Sequence, residues 1–242
     1  MSTRGIVIFD VDGTLCRTSE VDDDCWIASA RSILGIQSMS TDWSEYSHST
    51  DEAIATDLVR LHTALTGHGE VLGAVHRIRD DFLRRIDGAL STKPDLFRPV
   101  PGATRIFETL ISNGWMPAIA TGGWRRTAEM KMRAAEVPFE GVAAAHADDA
   151  HPREQIVDIA ARRAIGDGDG NFERAVYFGD GVWDVRAADR LGIGFVGIGV
   201  EANADRLRRA GAEWILPDYR DGDAILDAIE ATAAGSMPVG FP

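Results

Sequence analysis

Short apolar runs, each closing on glycine or a polar residue, recur along this chain between stretches whose apolar positions return every three to four residues. The runs predict strands at 5–10, 115–120, 141–145, 174–179, 194–199 and 213–216. The longer period predicts helices at 102–113, 124–135, 153–164, 183–192, 203–210 and 222–233. Strand and helix in alternation imply an α/β fold, a doubly wound parallel sheet covered by helices on both faces. Between Leu15 and Val100 the strand pattern vanishes, and amphipathic helices are expected at 21–34, 51–65 and 69–90. The organisation expected is a core domain of residues 1–16 and 99–242 with an all-helical cap domain, residues 17–98, inserted after the first strand. Pro94, Pro99, Pro101 and Gly102 punctuate the return to the core, so the two crossings near 16–19 and 92–101 make a hinge plausible. Residues 235–242 read as a loose tail.

A length of 242 residues with 45% hydrophobic content is enough for a substantial core. The net charge of −13 speaks against a nucleic-acid or anionic-membrane surface, although local arginine and a metal ion can reverse the sign inside one site. No apolar stretch reaches membrane-spanning length, and the first strand starts too soon after Met1 for a signal peptide, so a cytoplasmic location is the expectation. Cys16 and Cys25 are too few for a disulfide framework and read as small, partly buried residues. His48, His62, His68 and His76 lack metal-ligand spacing and read as surface or interface residues.

Candidate chemistry begins at Asp10-Val11-Asp12-Gly13-Thr14-Leu15, directly behind Ile6-Val7-Ile8-Phe9. Two carboxylates at i and i+2 stand where a buried strand breaks into a glycine turn, and ligands of parallel sheets bind just beyond the carboxyl ends of strands. The ordinary use of such residues is a turn with a helix cap. Asp10-Val11-Asp12-Gly13-Thr14 resembles the first motif of the haloacid dehalogenase-like superfamily of phosphohydrolases, whose core is Rossmann-like. In that comparison Trp115 to Gly123 resembles the second motif, with Thr121 as its functional residue and Gly122 beside it. Ala175 to Asp184 resembles the fourth, an acid at a strand tip (Asp180) and another in the first turn of the next helix (Asp184). The family's usual lysine is missing from the stretch before the last motif, and the chain holds only Lys93 and Lys131. Arg153 is the first choice for that role, because guanidinium stays charged and matches phosphate by a fork, and His151 is the second.

The resemblance implies a Mg²⁺-dependent phosphatase acting on a small phosphorylated metabolite through an aspartyl-phosphate. Asp10 would be the nucleophile and Asp12 the acid and base. Mg²⁺ would be held by Asp10, the backbone carbonyl of Asp12, Asp180 and Asp184. Thr121, Arg153, Gly13, Thr14 and Gly122 would surround the phosphate. The helical insert resembles in position the cap of the phosphoglycolate phosphatase and β-phosphoglucomutase branch. Ser49-Thr50-Asp51-Glu52 reads as a capping box opening a cap helix, where Ser49 or Thr50 could touch substrate and a plain capping role is the simpler use. Asp12, Asp180 and Asp184 argue against a metal-free dehalogenase, and Asp12 also against a phosphonate-cleaving member. A phosphomutase of the β-phosphoglucomutase type remains open, as does a binding or regulatory protein that has lost turnover. Substrate identity is not encoded in any spacing of cap residues such as Asp42 to Tyr46, and the choice between monomer and homodimer is equally open.

Overall fold

A computed structural model describes residues 4–166, 172 and 174–233, so the expected tail at 235–242 lies outside the described residues. In chain order the elements begin with β1 (Gly5–Phe9), the two-residue β2 (Cys16–Arg17), α1 (Ser19–Leu34), α2 (Asp51–His62), α3 (His68–Thr92) and β3 (Arg98–Pro99). Helices and strands then alternate through α4 (Ala103–Ser112), β4 (Trp115–Ala120), α5 (Arg125–Ala134), β5 (Ala143–Ala145) and α6 (Arg153–Ile165). The chain continues with β6 (Ala175–Gly179), α7 (Val182–Leu191), β7 (Gly194–Ile198), α8 (Glu201–Ala210), β8 (Trp214–Leu216) and α9 (Gly222–Thr232). Among the described residues, six strands form one parallel sheet in the order β5-β4-β1-β6-β7-β8.

Every residue of β1 is buried, because the strand is central and both its faces are covered. Its side chains alternate. Val7 and Phe9 join Phe107, Leu110, Phe178 and Ile225 in the layer built with α4 and α9. Ile6 and Ile8 join Ala118, Ile156, Tyr177 and Ala187 in the layer built with α6 and α7. Two faces to cover explain why the run is continuously apolar instead of alternating with polar residues. The neighbours of β1 are β4 on one side and β6 on the other, so the chain's windings diverge at this strand and open a crevice at its carboxyl end.

The chain leaves and re-enters the sheet region through β2 and β3, which pair antiparallel as Cys16 with Pro99 and Arg17 with Arg98. Between them α1, α2 and α3 share an apolar cluster that includes Val21, Trp26, Leu58, Ile78 and Phe82. This cluster also takes in Trp124 from the segment after β4, and Trp26 stacks on it with ring centroids 5.5 Å apart. Two elements fall two or more residues short of their patterns at one end. The strand expected from 141 starts at Ala143 because Gly141 takes a positive φ of 82° and Val142 closes a turn onto Phe139. Helix α2 stops at His62 instead of 65, where Thr63 adopts an extended backbone and its hydroxyl donates to the Val59 carbonyl. Both cysteines are buried and free. Among the described residues no helix is long and apolar enough to cross a membrane.

Candidate active site

The carboxyl ends of β1, β4 and β6 deliver Asp10, Thr121 and Asp180 to one crevice, and α1, α2 and their connection roof it. The cavity between them has a volume of about 200 Å³. Asp10 follows β1 directly and is almost fully buried, with its N–H donating to the Phe178 carbonyl at 3.0 Å. The chain then turns tightly, the Leu15 and Cys16 N–H groups both donating to the Val11 carbonyl. Gly13 sits in this turn at φ 75°, and a Cβ there would fall 1.9 Å from Asp180 Oδ2, so the turn lies against that carboxylate only because residue 13 has no side chain.

Pro152 precedes α6, and Arg153, its first residue, turns inward. Arg153 Nη1 donates to Asp10 Oδ1 at 3.0 Å and Nη2 to the Ser49 carbonyl at 3.1 Å. Its Nε stands 3.5 Å from Asp184 Oδ1 and, although buried, completes no hydrogen bond among the described residues. Gly122 lets the guanidinium pass, since a Cβ there would lie 2.7 Å from Nη2 and 2.6 Å from the Ser49 carbonyl. The His151 side chain is exposed and lines a separate cleft, while its carbonyl accepts from the Thr50 hydroxyl. Of the two cationic candidates, Arg153 is therefore the one at the crevice, because Pro152 turns the chain between them.

One oxygen each from Asp10, Asp180 and Asp184 lies within 4.8 Å of the others. Burial pushes Asp10 up to about 7; Arg153 opposes the shift, and Asp184 and Asp12 add to it. Lost hydration likewise raises Asp180 well above the usual carboxylate range, with Asp10 next in effect. Burial raises Asp184, whose Oδ1 accepts from the Tyr177 hydroxyl at 2.9 Å and Oδ2 from the Gly181 N–H at 3.0 Å. Three crowded carboxylates with one guanidinium leave negative charge that a divalent cation would offset, and an all-oxygen donor set suits Mg²⁺. The residues fit the ion.

The carboxylate of Asp12 stays out of this trio. Its Oδ1 accepts from the Thr18 hydroxyl and its Oδ2 from Lys131 Nζ at 2.8 Å. Thr121 is buried, and its hydroxyl accepts from the Gly123 N–H at 3.1 Å. Thr14 is also buried, but its hydroxyl has no partner among the described residues and it does not line the cavity. The capping box expected at Ser49-Thr50-Asp51-Glu52 does not form. Thr50 precedes the first helical residue without a side-chain cap, Ser49 donates to the Trp43 carbonyl, and Glu52 accepts from Trp124 Nε1 at 2.8 Å. The side chains that would close the box are held by tertiary partners instead. Ser49 and Thr50 line the cavity with both hydroxyls donating to carbonyls.

The sequence model of the haloacid dehalogenase-like hydrolases matches residues 5–192, a span that contains Asp10, Asp12, Thr121, Arg153, Asp180 and Asp184. The chain belongs to that family. Among solved structures this haloacid dehalogenase-like hydrolase is similar to a hydrolase from Pseudomonas syringae, with 23% identity over 93% of this chain and 99% of that one and a TM-score of 0.70. It is similar to β-phosphoglucomutase from Clostridium difficile, with 14% identity over 96% and 98% of the two chains and a TM-score of 0.69. It is also similar to a phosphonoacetaldehyde hydrolase-like protein from Oleispira antarctica, with 15% identity over 98% of each chain and a TM-score of 0.67. At these identities the likeness is one of fold. No curated protein matches the sequence.

The crevice of this haloacid dehalogenase-like hydrolase also holds residues that the sequence did not single out. Lys131 of α5 is 1% exposed and contacts Asp12 and Asp22 together. Burial opposes its charge, but Asp12, Asp22 and Asp51 outweigh burial and keep the ammonium protonated. Asp51 accepts from Trp26 Nε1 and from the Trp124 N–H, each at 2.8 Å, and burial lifts it to about 6. Trp43, Trp183, Asn203 and Arg206 also line the cavity.

Proposed function

We propose that this haloacid dehalogenase-like hydrolase is a phosphatase of small phosphorylated metabolites that works through an aspartyl-phosphate on Asp10, with residues 17–98 acting as a cap domain over the site. The observation that carries the reading is the setting of Asp10. It stands at the floor of the roofed cavity, bonded to Arg153, clustered with Asp180 and Asp184, and followed two residues later by a second carboxylate.

Phosphoryl transfer needs an aligned nucleophile, donors for the equatorial oxygens and a proton for the leaving group. Asp10 would attack phosphorus and take the phosphoryl group. Arg153 would supply a charged fork, with Thr121 and the backbone at Gly122 beside it. Asp12 would give its proton to the departing oxygen and later take one from the water that cleaves the aspartyl-phosphate. Mg²⁺ would be held by Asp10, the Asp12 backbone carbonyl and Asp180, with Asp184 completing or orienting the set, and when bound it would neutralise charge on the phosphoryl oxygens. The roof would exclude bulk water.

Phosphate release from p-nitrophenyl phosphate and from a panel of phosphorylated metabolites, with Mg²⁺ and with chelator, tests the reading. Turnover that requires Mg²⁺ and is lost in Asp10→Asn is the expected result. Transfer of the phosphoryl group to a sugar hydroxyl in place of water, or activity that survives Asp10→Asn, would overturn it.

A further inference from the structure

We infer that Lys131 is a positioning residue that fixes the carboxylate of Asp12 toward the departing oxygen and ties that orientation to the seat of α1. The inference rests on the phosphatase reading above.

A carboxylate in a turn has several staggered rotamers open to it, and only some face a given substrate atom. Here both oxygens of Asp12 are taken, Oδ1 by the Thr18 hydroxyl where the chain enters α1 and Oδ2 by Lys131 at 2.8 Å. The same ammonium contacts Asp22 on α1, and it lies 5.8 Å from the centre of the Phe82 ring on α3. Lys131 itself belongs to α5, which packs against the sheet. A side chain from the core therefore ends among groups of the helical roof, with one carboxylate from each as its counter-ions. A buried ammonium is tolerated only when such partners are in place, so Lys131, Asp12 and Asp22 take their positions together. Asp12 Oδ2 and Thr121 Oγ1 are both close to Gly123, as a Cβ placed there would lie 3.8 Å from the one and 3.6 Å from the other. The oriented carboxylate and the hydroxyl assigned to the phosphate thus both face the Gly123 end of the cavity that they line.

Help from an acid matters most when the leaving oxygen is poor. Phenyl phosphate and p-nitrophenyl phosphate have nearly the same shape, yet phenoxide departs far less readily without a proton. For Lys131→Met we expect kcat/KM to fall on the order of a hundredfold with phenyl phosphate, the low end of what general-acid catalysis contributes, and much less with p-nitrophenyl phosphate. Lys131→Arg should recover most of the difference, and Asp22→Asn, a near-isosteric change that guards against misfolding of the methionine variant, should show the same selectivity more weakly. Equal losses on both esters in Lys131→Met, or, where that variant does not fold, a wild-type ratio in Asp22→Asn, would overturn the inference. A folded wild type inert on both esters would overturn the phosphatase reading and this inference with it.

Discussion

In the proposed mechanism Arg153 takes the role that the family's usual lysine would play, and the difference is geometric as well as chemical. A guanidinium reaches Asp10, the Ser49 carbonyl and the edge of Asp184 at once, which a single ammonium at the end of a flexible stem does not reproduce. Arg153→Lys is therefore expected to lower kcat/KM about a hundredfold and Arg153→Ala about a thousandfold, by analogy with removing preorganised donors from a transition state. Steady-state kinetics checks both, and a fully active lysine variant would show that only the charge matters. Asp10, Asp12, Asp180 and Asp184 were legible because each stands within a few residues of a strand end. Lys131 was harder. Its place on the stripe shared with Ala128 and Met132 put a charge where an apolar residue belongs, which is a signal, but its partners lie 119 and 109 residues away in sequence and only the tertiary fold joins them.

The first turn of α2 shows how an element and its first residue can be predicted correctly while its capping is misread. The period of apolar residues located the helix, yet its start is fixed by the core: Asp51 donates its N–H to the Gly122 carbonyl, Asp51 and Glu52 accept from Trp124, and Thr50 donates to His151. Local capping rules see none of these partners. A methyl group at Gly122 would meet backbone on one side and Arg153 on the other, so Gly122→Ala is expected to destabilise the fold by about 1–3 kcal/mol and to impair turnover. Gly88→Ala in the exposed interior of α3, where a Cβ meets nothing within 4 Å, is the matched control and should stabilise by about 0.5–1 kcal/mol. Thermal melts with activity assays distinguish the two, and equal effects would contradict the close packing at residue 122. The strands were legible because burial on both faces of the sheet leaves continuous apolar runs, while β5 and the end of α2 were overrun where a glycine turn and a threonine bond interrupt the pattern.

The molecule as a whole carries a net charge of −13, and the acidic groups buried at the crevice set a pH dependence. Asp10, Asp180 and Asp184 titrate higher in the folded chain than an ordinary carboxylate, Asp10 at about 7, chiefly through burial. A raised carboxylate stabilises the fold fully below its unfolded value and loses that contribution as pH climbs through the folded one. Metal-free protein should therefore lose stability from these groups between about pH 4 and pH 7 and above. Mg²⁺ competes with those protons, so its stabilising shift in Tm should be larger at pH 8 than at pH 5. Calorimetry at the two values checks the sign, and a larger shift at pH 5 would place the ion elsewhere. In the proposed mechanism Asp10 accepts the phosphoryl group. Rapid acid quench during turnover of p-nitrophenyl phosphate, followed by peptide mass spectrometry, tests it most directly. One added phosphoryl group is expected on the peptide carrying Asp10, removed by hydroxylamine and absent from Asp10→Asn; a phosphorylated Asp10→Asn protein, or label on another residue, would rule out Asp10 as the acceptor.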